Sequence, residues 1–211
     1  MGKFVIPLLS NLTENSYNQD NIKLSKEQIQ LVRDDYLDAL IKLKVHEKII
    51  TDKMPLNFCW IGFILSAFPN AKIIHLSRDP IATCWSIYKH YFSSKGNGYA
   101  YDISDLTKFY KLYIDLMSFW HKSFPEAIYE LCYEDLTENQ EAETHRLLEY
   151  CNLEWDEHCL NFHKTNRVVK TASATQVRKE MYQGSSEAWR KYERQLQPLT
   201  KLLIEPVNNS V

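Results

Sequence analysis

The stretch Phe68-Pro69-Asn70-Ala71-Lys72-Ile73-Ile74-His75-Leu76-Ser77-Arg78-Asp79-Pro80 decides how this chain reads. Its centre, 71–78, is a short β-branched run that suits a strand. Its end is a helix start. Asp79 can accept from the first free amides, and Pro80 loses nothing at the first helical position because it has no N–H to pair. Two further runs of the same kind lie on either side, KIITDK at 48–53 and AIYELCY at 127–133. Between them the spacing predicts helices over Leu56–Phe68, Pro80–Phe92 and Ile103–Trp120. Strand, helix, strand, helix, strand predicts an α/β fold, a three-layer αβα arrangement with a parallel sheet.

Working outward, Ser25-Lys26-Glu27-Gln28 has the form of a capping box. Behind it Ile29, Val32, Tyr36, Leu40 and Leu43 recur at helical spacing. Thr137-x-x-Gln140 is read as the cap of a later helix whose inner face is Leu147, Leu148 and Cys151. Residues 1–24 are polar and turn-rich and read as a loose lead-in, 25–205 as one domain, and 206–211 as a tail. The charges nearly cancel, 25 Lys+Arg against 27 Asp+Glu. A protein built for nucleic acid carries a basic excess, so nucleic acid is excluded as the main partner. Apolar runs are too short to span a bilayer, so no membrane role is expected. Five scattered cysteines in apolar contexts read as buried thiols of a reducing, cytoplasmic compartment.

In open parallel sheets the ligand lies beyond the carboxyl ends of the strands. The three exits are Asp52-Lys53-Met54-Pro55, Ser77-Arg78-Asp79-Pro80 and Tyr133-Glu134-Asp135, and two of them carry a cation. Arg78 beside a helix start suits an anion, with free amides and a guanidinium facing it. Ser86, two turns up the same helix, adds a hydroxyl. The plainer alternative is that Arg78 pairs with a neighbouring carboxylate. Lys53 can stabilise negative charge developing on a leaving group; its plainer alternative is a solvated strand end. His158, Cys159, His163 and Cys151 cluster, but Leu153, Trp155, Leu160 and Phe162 interleave them as packing residues would, and no metal site is read there.

These residues resemble a family. TDKMPLNF (51–58), FPNAKIIHLSRDP (68–80) with Ser86 eight residues after Arg78, LCYEDL (131–136), CNLEWD (151–156), TASATQVR (171–178) and SSEAWRKYE (185–193) follow one another as in the sulfotransferases that use 3′-phosphoadenylyl sulfate (PAPS). The likeness is to the bacterial enzymes linked to tetratricopeptide repeats and related to tyrosylprotein sulfotransferases. It implies sulfuryl transfer from PAPS to an acceptor hydroxyl, in line and without a metal. It implies Arg78 and Ser86 as ligands of the 3′-phosphate, Lys53 at the leaving oxygen, and Tyr133 against the nucleotide. A late loop with Ser173 and Gln176, Val177, Arg178 and Lys179 would close over the cofactor. His90 stands where relatives have arginine, and Ala188 where they have lysine. Arg190 or Lys179 is the substitute charge.

The resemblance also implies a P-loop NTPase-like fold that opens with a strand and a phosphosulfate loop, followed by a catalytic glutamate. None of the five glycines, Gly2, Gly62, Gly96, Gly98 and Gly184, forms such a loop. The sequence therefore reads as the C-terminal two-thirds of the domain, lacking its first strand and loop. Little turnover and association as a homo-oligomer are expected. The competing reading is a non-catalytic relative that binds the nucleotide weakly or needs a partner chain for activity.

Overall fold

The computed structural model describes residues 5, 24–43, 47–93, 96–165 and 176–205. The chain falls into two units, Met1–Ile73 with Leu116–Pro125, and Ile74–Asp115 with Glu126–Val211.

In the first unit, α1 (Lys26–Lys42) starts at the predicted capping box. The Gln28 amide donates to Ser25 Oγ at 3.2 Å, and the Ser25 amide to Gln28 Oε1 at 2.7 Å. Two otherwise orphaned donors are thus satisfied reciprocally. A 3₁₀ turn, Pro55–Trp60, leads into α2 (Ile61–Ala67), so the single helix predicted over 56–68 is two pieces. Val5 and Val32 are buried among Tyr36, Trp60, Phe63, Ile64 and Phe68. Gly62 is required by close approach. A Cβ there would lie 2.7 Å from the Trp120 ring, whose Nε1–H donates to the Phe58 carbonyl at 2.8 Å.

The second unit is built on β1 (Ile73–Ser77) and β2 (Ile128–Cys132), the two strands of a small parallel sheet. From β1 the chain enters α3 (Pro80–Tyr88), then α4 (Ile103–Ser123), which belongs to this unit as far as Asp115, and after β2 the short α5 (Tyr133–Glu138) and α6 (Gln140–Tyr150). A 3₁₀ helix, Ser185–Tyr192, and α7 (Gln197–Ile204) follow. The core joins Ala82 and Cys84 of α3, Leu106 of α4, Trp189, Leu196, and Leu199 of α7. Across the sheet His75 Nδ1 meets Glu130 Oε2 at 2.5 Å, and its Nε2 meets the Tyr113 hydroxyl.

Three expectations are corrected. Residues 48–53 form no strand among the described residues, and Ile49 and Ile50 are exposed; a β-branched run becomes a strand only where a ladder partner exists. Thr137 caps no following helix. It lies inside α5 and donates to the Glu134 carbonyl, while α6 starts at Gln140, its N-cap residue Asn139 making no side-chain cap. Of the five free thiols only Cys84 is fully buried, and Cys59, on its 3₁₀ turn, is exposed.

Candidate functional site

The exit of β1 is built as its sequence dictates. Asp79 caps α3 by accepting the Ala82 amide at 2.6 Å, and Pro80 begins the helix. Arg78 therefore leaves the strand at a fixed point. Its guanidinium lies 4.8 Å over the Tyr133 ring, at the exit of β2. Its Nε donates to Ser186 Oγ at 2.9 Å and its Nη2 to Ser185 Oγ at 3.3 Å. The Tyr133 hydroxyl shares a 2.8 Å hydrogen bond with Ser185 Oγ. The serines open the Ser185–Tyr192 helix, which Gly184 enters with φ +81°, a conformation only glycine adopts cheaply. Trp189, 8 % exposed, anchors that helix in the core.

Among the described residues no carboxylate pairs directly with Arg78. Glu134 is reached only through Ser186. Burial pushes the Glu134 carboxyl up, but hydrogen bonds from Ser186, the Asp79 amide, its own amide and Cys132 outweigh this and hold it below the usual carboxylate range. The Asp79 amide donates to Glu134 Oε1 at 3.2 Å. The amides of Asp79 and Ala82 are taken by carboxylates and Pro80 has none, which narrows what the helix start offers an anion to Arg78 and the Ile81 amide. What the cluster presents is a half-buried guanidinium on a tyrosine ring, held by neutral oxygens. Such a group retains its charge for an anionic ligand.

In the first unit Lys53 is exposed on the irregular segment 51–54. The segment is fixed by its neighbour: Asp52 accepts from the Tyr36 hydroxyl at 3.1 Å and from Asn57 Nδ2 at 3.2 Å. Burial, then the Asp52 charge and hydrogen bond, pushes the Tyr36 phenol up to about 12. Among the described residues Lys53 forms no ion pair, so Asp52 is spent on the loop and leaves the ammonium unneutralised.

The model of the sulfotransferase family matches residues 9–157, more than two-thirds of the chain. The chain belongs to the sulfotransferase family. An uncharacterized protein of Aquifex aeolicus (strain VF5) is 44% identical to it over 172 residues, 81% of this chain and 23% of that protein. The chain thus spans less than a quarter of the length of that curated relative.

Within this sulfotransferase chain the sequence-predicted residues have different surroundings. Arg78 and Tyr133 are brought together. Ser86 is half-buried near the end of α3, its hydroxyl without a hydrogen bond among the described residues. His90 lies just past that helix, exposed, with its ring edge-on to Phe92 at 4.6 Å between centroids. Gln176–Arg178 form a 3₁₀ turn, with Arg178 and Lys179 exposed, and Ser173 lies outside the described residues. Arg190 lies over the Trp189 ring at 5.1 Å and 3.4 Å from Glu187, so part of its charge is already answered. Ser185, Ser186 and Glu134 were not singled out as site residues, although both motifs that contain them were. The contacts of Ser185 and Ser186 with Arg78 join positions more than a hundred residues apart, which no local pattern displays. Among the described residues no helix is long and apolar enough to cross a membrane.

Proposed function

We propose that this chain binds 3′-phosphoadenylyl sulfate and serves sulfuryl transfer to an acceptor hydroxyl. The observation that carries the reading is Arg78, a half-buried cation at a strand exit that is held by two serines and a tyrosine ring and, among the described residues, by no carboxylate. A cation kept in place without neutralisation suits a phosphate, and family membership makes the 3′-phosphate of PAPS the natural occupant. Tyr133 would lie against the nucleotide, with its hydroxyl beside Ser185. Ser86, farther along the same helix, and His90, just past its end, would reach toward the 3′ end. The Gln176–Lys179 turn, preceded by Ser173, would close over the bound cofactor.

In the reaction an acceptor oxygen attacks sulfur in line, the bond between sulfur and the bridging phosphate oxygen breaks, and the acceptor proton passes to a base. The leaving adenosine 3′,5′-bisphosphate gains negative charge on that oxygen. Lys53, exposed and without an ion pair among the described residues, would meet it. The test is transfer of labelled sulfuryl groups from PAPS to a panel of phenolic, sugar and alkyl hydroxyls. Label appearing on an acceptor, and lost in Lys53→Ala, supports the proposal. Binding of PAPS with no transfer to any acceptor class would leave a nucleotide-binding relative in its place.

A further inference from the structure

We propose that Ser185 and Ser186, with Glu134 behind them, are positioning residues that select which edge of Arg78 meets an anion. This rests on the reading of Arg78 as a phosphate ligand and adds three residues to it. A guanidinium is planar and carries five N–H donors. One edge consists of Nε–H and an Nη2–H; the far edge consists of one hydrogen from each Nη. The two serine oxygens take the first edge, Ser186 at Nε and Ser185 at Nη2. Among the described residues the far edge has no partner. Two parallel N–H groups on that edge match two oxygens of a phosphate monoester, which a lysine in the same place cannot do.

The direction of the hydrogen bonds makes this a built arrangement. Ser186 accepts from Arg78, so its own proton must go elsewhere, and it is given to Glu134. An ionised Glu134, fixed by the Asp79 amide at the start of α3, keeps Ser186 turned with its lone pairs toward the arginine. Ser185 accepts from Arg78 and is joined to the Tyr133 hydroxyl, which lies under the same guanidinium. The serine oxygens are neutral, so they orient the cation without cancelling it. A carboxylate in their place would orient it equally well and compete with the phosphate for its charge.

The experiment has two arms. The first needs no ligand: exchange of the Arg78 Nε proton, followed by ¹⁵N-resolved NMR. Exchange is slow in the parent chain, about tenfold faster in Ser186→Ala and Glu134→Gln where one hydrogen bond is lost or misdirected, and restored in Ser186→Thr. The second is affinity for adenosine 3′,5′-bisphosphate. Ser185→Ala/Ser186→Ala weakens it about tenfold, and Arg78→Lys then costs less in that background than in the parent, since the selected edge is already lost. Unchanged proton exchange in Ser186→Ala and Glu134→Gln, or strictly additive losses in the cycle, would overturn the proposal. A parent chain that binds no bisphosphate strikes the phosphate reading, while the exchange arm still judges the edge selection.

Discussion

Lys53 and Arg78 are read from the sequence in the same terms, as cations at strand exits, and the two regions treat them differently. Arg78 is half-buried, stacked and hydrogen-bonded before any ligand arrives. Its side-chain freedom is already lost, so binding an anion incurs little further entropy. Lys53 is exposed, and the order around it belongs to its neighbour Asp52. An exposed ammonium is a poor grip but can meet charge as it develops on a departing oxygen. Under the proposed function, holding falls to one cation and chemistry to the other.

The largest effect that can break this division is kinetic. Lys53→Ala should lower kcat for sulfuryl transfer by about 10²–10³ with little change in KM for PAPS. A variant that keeps kcat and raises KM would make Lys53 a second grip. Next is Gly62→Ala, whose new methyl meets the Trp120 ring. Overpacking there should cost about 1–3 kcal/mol in a urea titration while leaving bisphosphate affinity intact. A simultaneous loss of affinity would show that the first unit's packing also governs the phosphate grip.

Smaller is a pH effect centred on Glu134. Its folded pKa lies below its unfolded value, so its contribution is complete above the ordinary carboxylate range near about 4.3 and is lost as pH falls through the folded value. Glu134→Gln should flatten the acid side of the stability curve, and an unchanged slope would remove Glu134 from the ionised cluster. Smallest is Tyr36→Phe, which deletes one hydrogen bond to Asp52 and should cost about 0.5–1.5 kcal/mol. Lys53-dependent kcat should fall with it only if the chemistry needs an ordered loop.

Local chemistry was legible and distant partnership was not. Ser25 and Gln28 announce their cap, and Asp79-Pro80 announces the start of α3, because each signal lies within four residues. The helix over Ile103–Ser123 was readable from its periodicity. The run at 48–53 forms no strand because β-branched residues state a preference and not a ladder partner. Gly62 gave no sign of Trp120, nor Arg78 of Ser185 and Ser186; those contacts exist only once the chain has folded. The role of Tyr133 rests on the family resemblance, and its ring under Arg78 brings the exits of β1 and β2 together.

The most direct test of the central claim is calorimetric titration of adenosine 3′,5′-bisphosphate and adenosine 5′-monophosphate into the parent chain and into Arg78→Ala. If Arg78 holds the 3′-phosphate, the parent chain prefers the bisphosphate. Removing the guanidinium weakens the bisphosphate by about 10- to 150-fold and leaves the monophosphate unchanged, which erases the preference. A preference that survives in Arg78→Ala would contradict the account.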